Sequence, residues 1–250
     1  MIVIAGQAAD KSALLSSVPE QSVEREILNI LLDSPQTYSY DSHEQLEFEL
    51  TLRREIVAAS KELSASRLAF RVFRESFCNP AYWRRTNDGG FTLQPGVSPS
   101  AAIQDIFQNS NLYGTECATA MMIVYFGALA KVYGPSRFDR LFPQIVLMNW
   151  SSIPPLLQEV GWMRKANDYL PADRRYIKNP DVNPATPYLQ GENLIDLGNG
   201  RYYGHGMGIQ TADTVIRILN QNRKEGATRS AYLMDSAGRP DFKKLFKNMR

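Results

Sequence analysis

Glu116-Cys117-Ala118-Thr119-Ala120-Met121-Met122-Ile123-Val124-Tyr125-Phe126-Gly127-Ala128-Leu129-Ala130-Lys131-Val132-Tyr133 is the stretch on which the fold turns. It is apolar nearly all round, and a helix of that kind must be covered on every side by other elements. The same helix begins with a cysteine. If Gly114 or Thr115 caps it, the Cys117 sulfur lies in the first turn. Backbone N–H groups there have no helical acceptor, and the positive end of the helix dipole favours a thiolate. Those N–H groups are also suited to hold an oxyanion on an attacked carbonyl. The competing reading is a structural cysteine, a residue type often buried for packing alone.

Working outward, Ile2–Ala5 reads as a strand, and Val23–Leu32 presents one apolar helical face. Asp41 and Ser42 offer caps for a long helix to about Leu63, and a second helix is expected over Ser66–Phe77. Asn87-Asp88-Gly89-Gly90 joins Tyr82–Arg85 to Phe91–Leu93 as a hairpin. Pro99 after Ser98 opens a short helix through Ile106. Beyond the apolar helix, Ile145–Trp150 reads as a short strand, and Pro154–Pro187 as a long irregular connection. Asn193–Leu197 and Arg201–Gly204 form a hairpin across Gly198-Asn199-Gly200. Thr211–Asn222 is an amphipathic helix, Ala231–Met234 a closing strand, and Pro240–Lys247 a short basic helix. Few strands flanked by helices predict an α+β fold, with the apolar helix packed across a small, mostly antiparallel sheet. No linker separates two cores, so residues 1–250 are expected to form one domain.

Composition narrows the function. With 250 residues, 44% hydrophobic and 22% charged, the chain can build a substantial core without staples. A net charge of +2 sets up no field that would draw in nucleic acid or membrane. Two cysteines do not make a disulfide framework, so Cys78 and Cys117 are expected to be reduced thiols. Cys78 follows a helix end and lacks the electrostatics of Cys117. Met1–Ala9 has no basic flank and reads as a strand rather than a signal peptide. The longest apolar run, Ala118–Ala130, is too short to span a membrane.

Three further residues bear on chemistry. His205 lies between Gly204 and Gly206, which removes side chains on both sides and leaves room for close approach to the imidazole. The alternative is a tight turn before the next helix. Glu192 opens an apolar strand, where it could orient His205, take the thiol proton itself, or simply be a strand-end acid. Glu116 adjoins the cysteine, and its charge would raise the thiol pKa. Of the two histidines, His43 reads as a solvated cap. Gly204-x-Gly206-x-Gly208 fails the dinucleotide pattern, because the third glycine would fall at Ile209. No nucleophile elbow, phosphate loop, calcium loop or paired-histidine zinc motif is present. Lys243, Lys244, Lys247 and Arg250 read as a solvated basic face.

Several dispersed blocks then fall in one order. Ile56-Val57-Ala58-Ala59, Gly114-Thr115-Glu116-Cys117-Ala118-Thr119-Ala120, Tyr176-Ile177-Lys178-Asn179-Pro180, Gly191-Glu192-Asn193, Tyr203-Gly204-His205-Gly206-Met207-Gly208-Ile209 and Ser230-Ala231-Tyr232-Leu233 together resemble the Bacillus-type protein-glutamine γ-glutamyltransferases, the spore-coat transglutaminases. The resemblance covers essentially the whole chain. It implies a compact fold related to NlpC/P60 cysteine peptidases, with Cys117 as nucleophile and Glu192 and His205 as partners. Glu116 corresponds to a neighbouring acid that shares the role of Glu192, and Trp150 to a tryptophan beside the site. Leu189-Gln190 stands where an aromatic and a basic residue are expected, which bears on substrate preference. The implied reaction joins a glutamine γ-carboxamide to a lysine ε-amine through a cysteine thioester. Its partners would be proteins of the spore coat. Such chemistry calls for no metal or organic cofactor. Two alternatives remain at this level: a cysteine amidase or peptidase with water as acceptor, and a non-catalytic coat protein. Trp150 and Trp162 are the candidates for walls that exclude water.

Overall fold

The computed structural model describes residues 1–249; Arg250, counted in the basic end, lies outside them. The apolar stretch forms a helix over Cys117–Tyr133, and nearly every residue in it is buried. One side packs along the long helix His43–Ala65, capped by the Ser42 side chain through the Gln45 N–H. Other neighbours are the helices Pro99–Gln108 and Pro135–Leu141. The strand Gly191–Asp196, buried along its whole length, also packs against it.

That strand lies at the centre of a five-stranded antiparallel sheet. The order is Gly208–Gln210, Tyr202–Gly204, Gly191–Asp196, Arg174–Lys178, Tyr232–Leu233. Its register puts Glu192 opposite Ile177, Asn193 opposite Tyr176, and Leu194 between Arg175 and Gly204. A second, three-stranded sheet contains the expected hairpin, Trp83–Arg85 with Phe91–Leu93, joined by Val146–Leu147. A third, small sheet pairs Ile2–Ile4 with Gln7–Ala8 and Tyr38–Tyr40. Around it a separate apolar cluster gathers Ile27, Leu28 and Leu31 against Leu46 and Leu50 of the long helix. This is the α+β arrangement expected.

Two expectations need correction. Ser66–Phe77 is not a helix. Ser66 ends the preceding helix in extended conformation, and Ala69–Phe70 runs parallel to Gly114–Thr115. The Ala69 N–H donates to the Tyr113 carbonyl and the Arg71 N–H to that of Thr115, so pairing across the chain overrides the local helical spacing. Only a 3-10 turn, Phe73–Glu75, remains of it. Nor is Pro154–Pro187 wholly irregular, since Arg174–Lys178 is an inner strand of the main sheet. Its buried positions include Arg174 and Arg175. Arg175 is satisfied by the Ser236 and Met234 carbonyls, and its guanidinium lies over the Tyr169 ring.

Candidate active site

Glu116, rather than Gly114 or Thr115, caps the apolar helix, which puts Cys117 at its first position. The two Glu116 carboxylate oxygens accept from the Ala118 and Thr119 N–H groups at 2.6 and 2.7 Å. Those donors are therefore engaged, not free for an oxyanion as the sequence suggested; the Cys117 N–H is left by this cap. Thr119 extends the link. Its hydroxyl donates to Glu116 Oε1 at 2.5 Å and accepts from the Asn149 N–H at 2.9 Å. Asn149 has a positive φ of 39° and leads directly into Trp150, so the cap also fixes the tryptophan beside the sulfur. Asparagine tolerates that backbone region better than most residues.

The sulfur opens into a cleft of about 580 Å³, lined by Phe70, Phe73, Trp150 and Tyr188 among others. A hollow of about 640 Å³ under the N-terminal segment shares no residue with it and holds no thiol. Trp150 lines the same cleft as Cys117. Trp162 is not a wall of the cleft; its neighbours Gly161 and Met163 are, while Trp162 faces a separate surface hollow. Gln190 reaches the cleft, whereas Leu189 packs with the apolar cluster beneath the sheet.

From the central strand come two residues of the site. The Asn193 Nδ2 donates to Cys117 Sγ at 3.5 Å. Glu192 is buried, and its Oε1 has no hydrogen-bond partner. The carboxyl fits because the neighbouring strand offers a glycine: a Cβ at Gly204 would lie 3.2 Å from Glu192 Oε1 and 2.9 Å from Leu194 Cδ2. Burial, and then the charge of Glu116, push the Glu192 carboxyl well above the ordinary carboxylate range. Burial also pushes the Cys117 thiol up, followed by the Glu192 and Glu116 charges, while the Asn193 bond opposes them. Cys117 therefore rests as a neutral thiol despite its place at a helix start.

His205 is also buried, at the end of the strand Tyr202–Gly204. Its Nε2 lies 3.3 Å from the Ala69 carbonyl and 3.2 Å from the Thr115 carbonyl, and Nδ1 lies 3.3 Å from the Tyr203 hydroxyl. Two carbonyls on one nitrogen assign the proton to Nε2, leaving Nδ1 to accept from Tyr203. Burial holds the imidazole down at about 4, against the pull of the two carbonyls, so it is neutral at pH 7. Nε2 thus ties Ala69 to Thr115, two residues before the cysteine, while Nδ1 is held by Tyr203. Phe70 covers the ring at 5.9 Å between centroids.

Sequence reading thus named Cys117, Glu116, Glu192, His205 and Trp150, and assigned no role to Asn193, Arg174, Phe70 or Tyr188. Asn193 stands in a quoted block, but an asparagine after Gly-Glu carries no physical signal of its own. Phe70 was hidden inside the misread helix. Among the described residues no group of three or more His, Cys, Asp or Glu side chains is arranged to hold a metal ion.

Comparison with known proteins gives the family. The family model for protein-glutamine gamma-glutamyltransferase matches residues 1–249. Proteins of that name from Bacillus cereus and Bacillus anthracis are 45% identical over 224 residues, covering 89% of this chain and 80% of theirs. The solved transglutaminase from Geobacillus stearothermophilus, without its C-terminal extension, superposes with a TM-score of 0.78 at 46% identity. That match covers 84% of this chain and 99% of the other. Together with a helix-start thiol between two carboxyls, this makes the chain a member of the protein-glutamine gamma-glutamyltransferase family.

Proposed function

We propose that this enzyme cross-links proteins through a thioester on Cys117, with Glu192 as the group that moves protons. The observation that carries the reading is the buried Glu192 carboxyl, one oxygen unpartnered, whose charge is felt by the Cys117 thiol. A base matched to its task has a pKa near the working pH, and a raised carboxyl meets that requirement. In the reactive form Glu192 is a carboxylate and Cys117 a thiol. The sulfur attacks the γ-carboxamide carbon of a glutamine side chain as Glu192 takes the thiol proton. The Cys117 N–H is the helix-start donor available to the developing oxyanion. Glu192 then returns the proton to the departing nitrogen, which leaves as ammonia. A lysine ε-amine attacks the thioester, loses a proton to Glu192, and the sulfur leaves with that proton. The products are an isopeptide bond and the free thiol.

Glu116 tunes this pair by its charge and holds the helix start. His205 secures the backbone at Thr115 and Ala69, which is a positioning role. Phe70, Trp150 and Tyr188 give the cleft apolar walls, favouring an amine with an apolar stem over water. Substrates are proteins bearing accessible glutamine and lysine side chains. The family resemblance supports the spore coat as their setting and place of action. No helix among the described residues is long and apolar enough to cross a membrane.

The test is incubation with a glutamine-containing protein and a labelled primary amine. Amine incorporation with ammonia release is expected, abolished in Cys117→Ala and retained in Cys78→Ala. Ammonia release without amine incorporation would make the enzyme an amidase. Retained incorporation in Cys117→Ala would remove the nucleophile assignment.

A further inference from the structure

Arg174 is buried beside the site, and no carboxylate lies within ion-pair reach of it among the described residues. A buried guanidinium without a counter-ion is costly, and burial alone pulls its pKa down. Its contacts are specific. Arg174 Nε donates to the Val160 carbonyl at 3.0 Å, and Nη1 donates to Asn193 Oδ1 at 2.9 Å. The guanidinium lies over the Trp150 ring, 4.2 Å from its centroid. We propose that Arg174 is a positioning residue that locks the Asn193 carboxamide with its NH₂ toward the Cys117 sulfur, so that the sulfur is stabilised whenever it carries negative charge. The inference rests on Cys117 being the nucleophile.

Hydrogen-bond chemistry fixes the orientation. Guanidinium has donors only, so the Asn193 edge that faces it must be the carbonyl oxygen. The opposite edge, Nδ2, then faces Sγ at 3.5 Å. A donor there favours the thiolate over the thiol, and during catalysis the sulfur bears such charge when it attacks and when it leaves. Without Arg174 the carboxamide is free to turn its oxygen toward the sulfur. That oxygen accepts from S–H, which favours the thiol instead. Anchoring at both Val160 and Trp150 keeps the guanidinium from following a rotating asparagine. The positive charge opposite Oδ1 also polarises the amide and strengthens its N–H donor.

The experiment is the rate of Cys117 alkylation by iodoacetamide, measured across neutral and alkaline pH in a Cys78→Ala background. It needs no acyl donor, so its outcome is separate from whether Cys117 transfers acyl groups. Arg174→Met keeps an apolar stem against Trp150 and removes every donor. It is expected to slow alkylation about tenfold at a fixed pH, the equivalent of about one pH unit of thiol ionisation. Asn193→Ala is expected to do the same, and adding Arg174→Met to it should change nothing further. Arg174→Lys keeps one donor without the two-point anchor, and a smaller effect of the same sign is expected. That variant carries the test alone if Arg174→Met does not fold. An unchanged rate in whichever arginine variant folds, or an equal loss with and without Asn193, overturns the proposal.

Discussion

A buried carboxyl oxygen without a partner costs stability, and Glu192 Oε1 is one. The Glu192–Glu116–Cys117 group explains its retention if an ionised Glu192 is the working base. Then the acid limb of kcat/KM reports Glu192, and it should lie above the ordinary carboxylate range because burial and Glu116 raise that group. Removing the Glu116 charge must move the limb to lower pH, since a negative neighbour no longer opposes ionisation. Glu116→Gln is therefore expected to shift the profile downward while retaining turnover, with some loss of stability from a weaker helix cap. Glu192→Gln should lose at least about a hundredfold, the low end for general acid–base catalysis. His205 ionises near 4 and cannot supply that limb, so the limb should persist at its position in His205→Ala. A Glu192→Gln enzyme with near-normal turnover, or a profile unmoved in Glu116→Gln, would take the base role away from Glu192.

Strand pairing builds this group, and one small residue permits it. Gly204 faces Leu194 in the register, and the space a Cβ would take is held by the Leu194 side chain and the Glu192 carboxyl. Gly204→Ala should overpack the strand pair, lowering stability by about 1–3 kcal/mol and turnover with it. Thermal melting and amine incorporation read the two effects, and an alanine variant matching the parent in both would show that the strands have slack. The same element explains what was legible in the sequence. Cys117, Glu192 and His205 stand beside glycines or at an apolar boundary, features that local pattern exposes. The inner strand Arg174–Lys178 was not legible, because its first two residues are arginines, buried by partners far along the chain. The Ala69–Phe70 pairing was lost for a related reason: helical spacing is local, whereas its partner Gly114–Thr115 is some forty-five residues away. Glu116 was legible as an acid beside the thiol. Its function as the helix cap was not, since serine, threonine and glycine are the usual signals.

Across the whole molecule, buried titratable groups make stability depend on pH in two opposite directions. Asp196 is buried, and desolvation pushes its carboxyl up to about 7, against the Gly198 N–H it accepts at 2.9 Å. An unfolded chain releases that proton near 4. Between about 4 and 7 the folded state holds a proton that the unfolded state has lost, so this group's share of stability falls as pH rises and is flat above. His205 acts in the other sense. Its folded value near 4 lies below the unfolded value of about 6.5, so its contribution is present above 6.5 and lost as pH falls toward 4. Asp196→Asn separates them. Asparagine keeps an oxygen for the Gly198 N–H and removes this one ionisation, leaving the slopes of His205 and Glu192 in place. The variant should gain on the parent progressively from pH 4 to 7, by an amount on the order of a few kcal/mol at most, and the gap should stay constant above 7. Thermal or denaturant unfolding of both proteins across pH 4 to 9 measures it. Parallel curves through the 4–7 window would mean that Asp196 ionises in the folded protein as it does in the unfolded one.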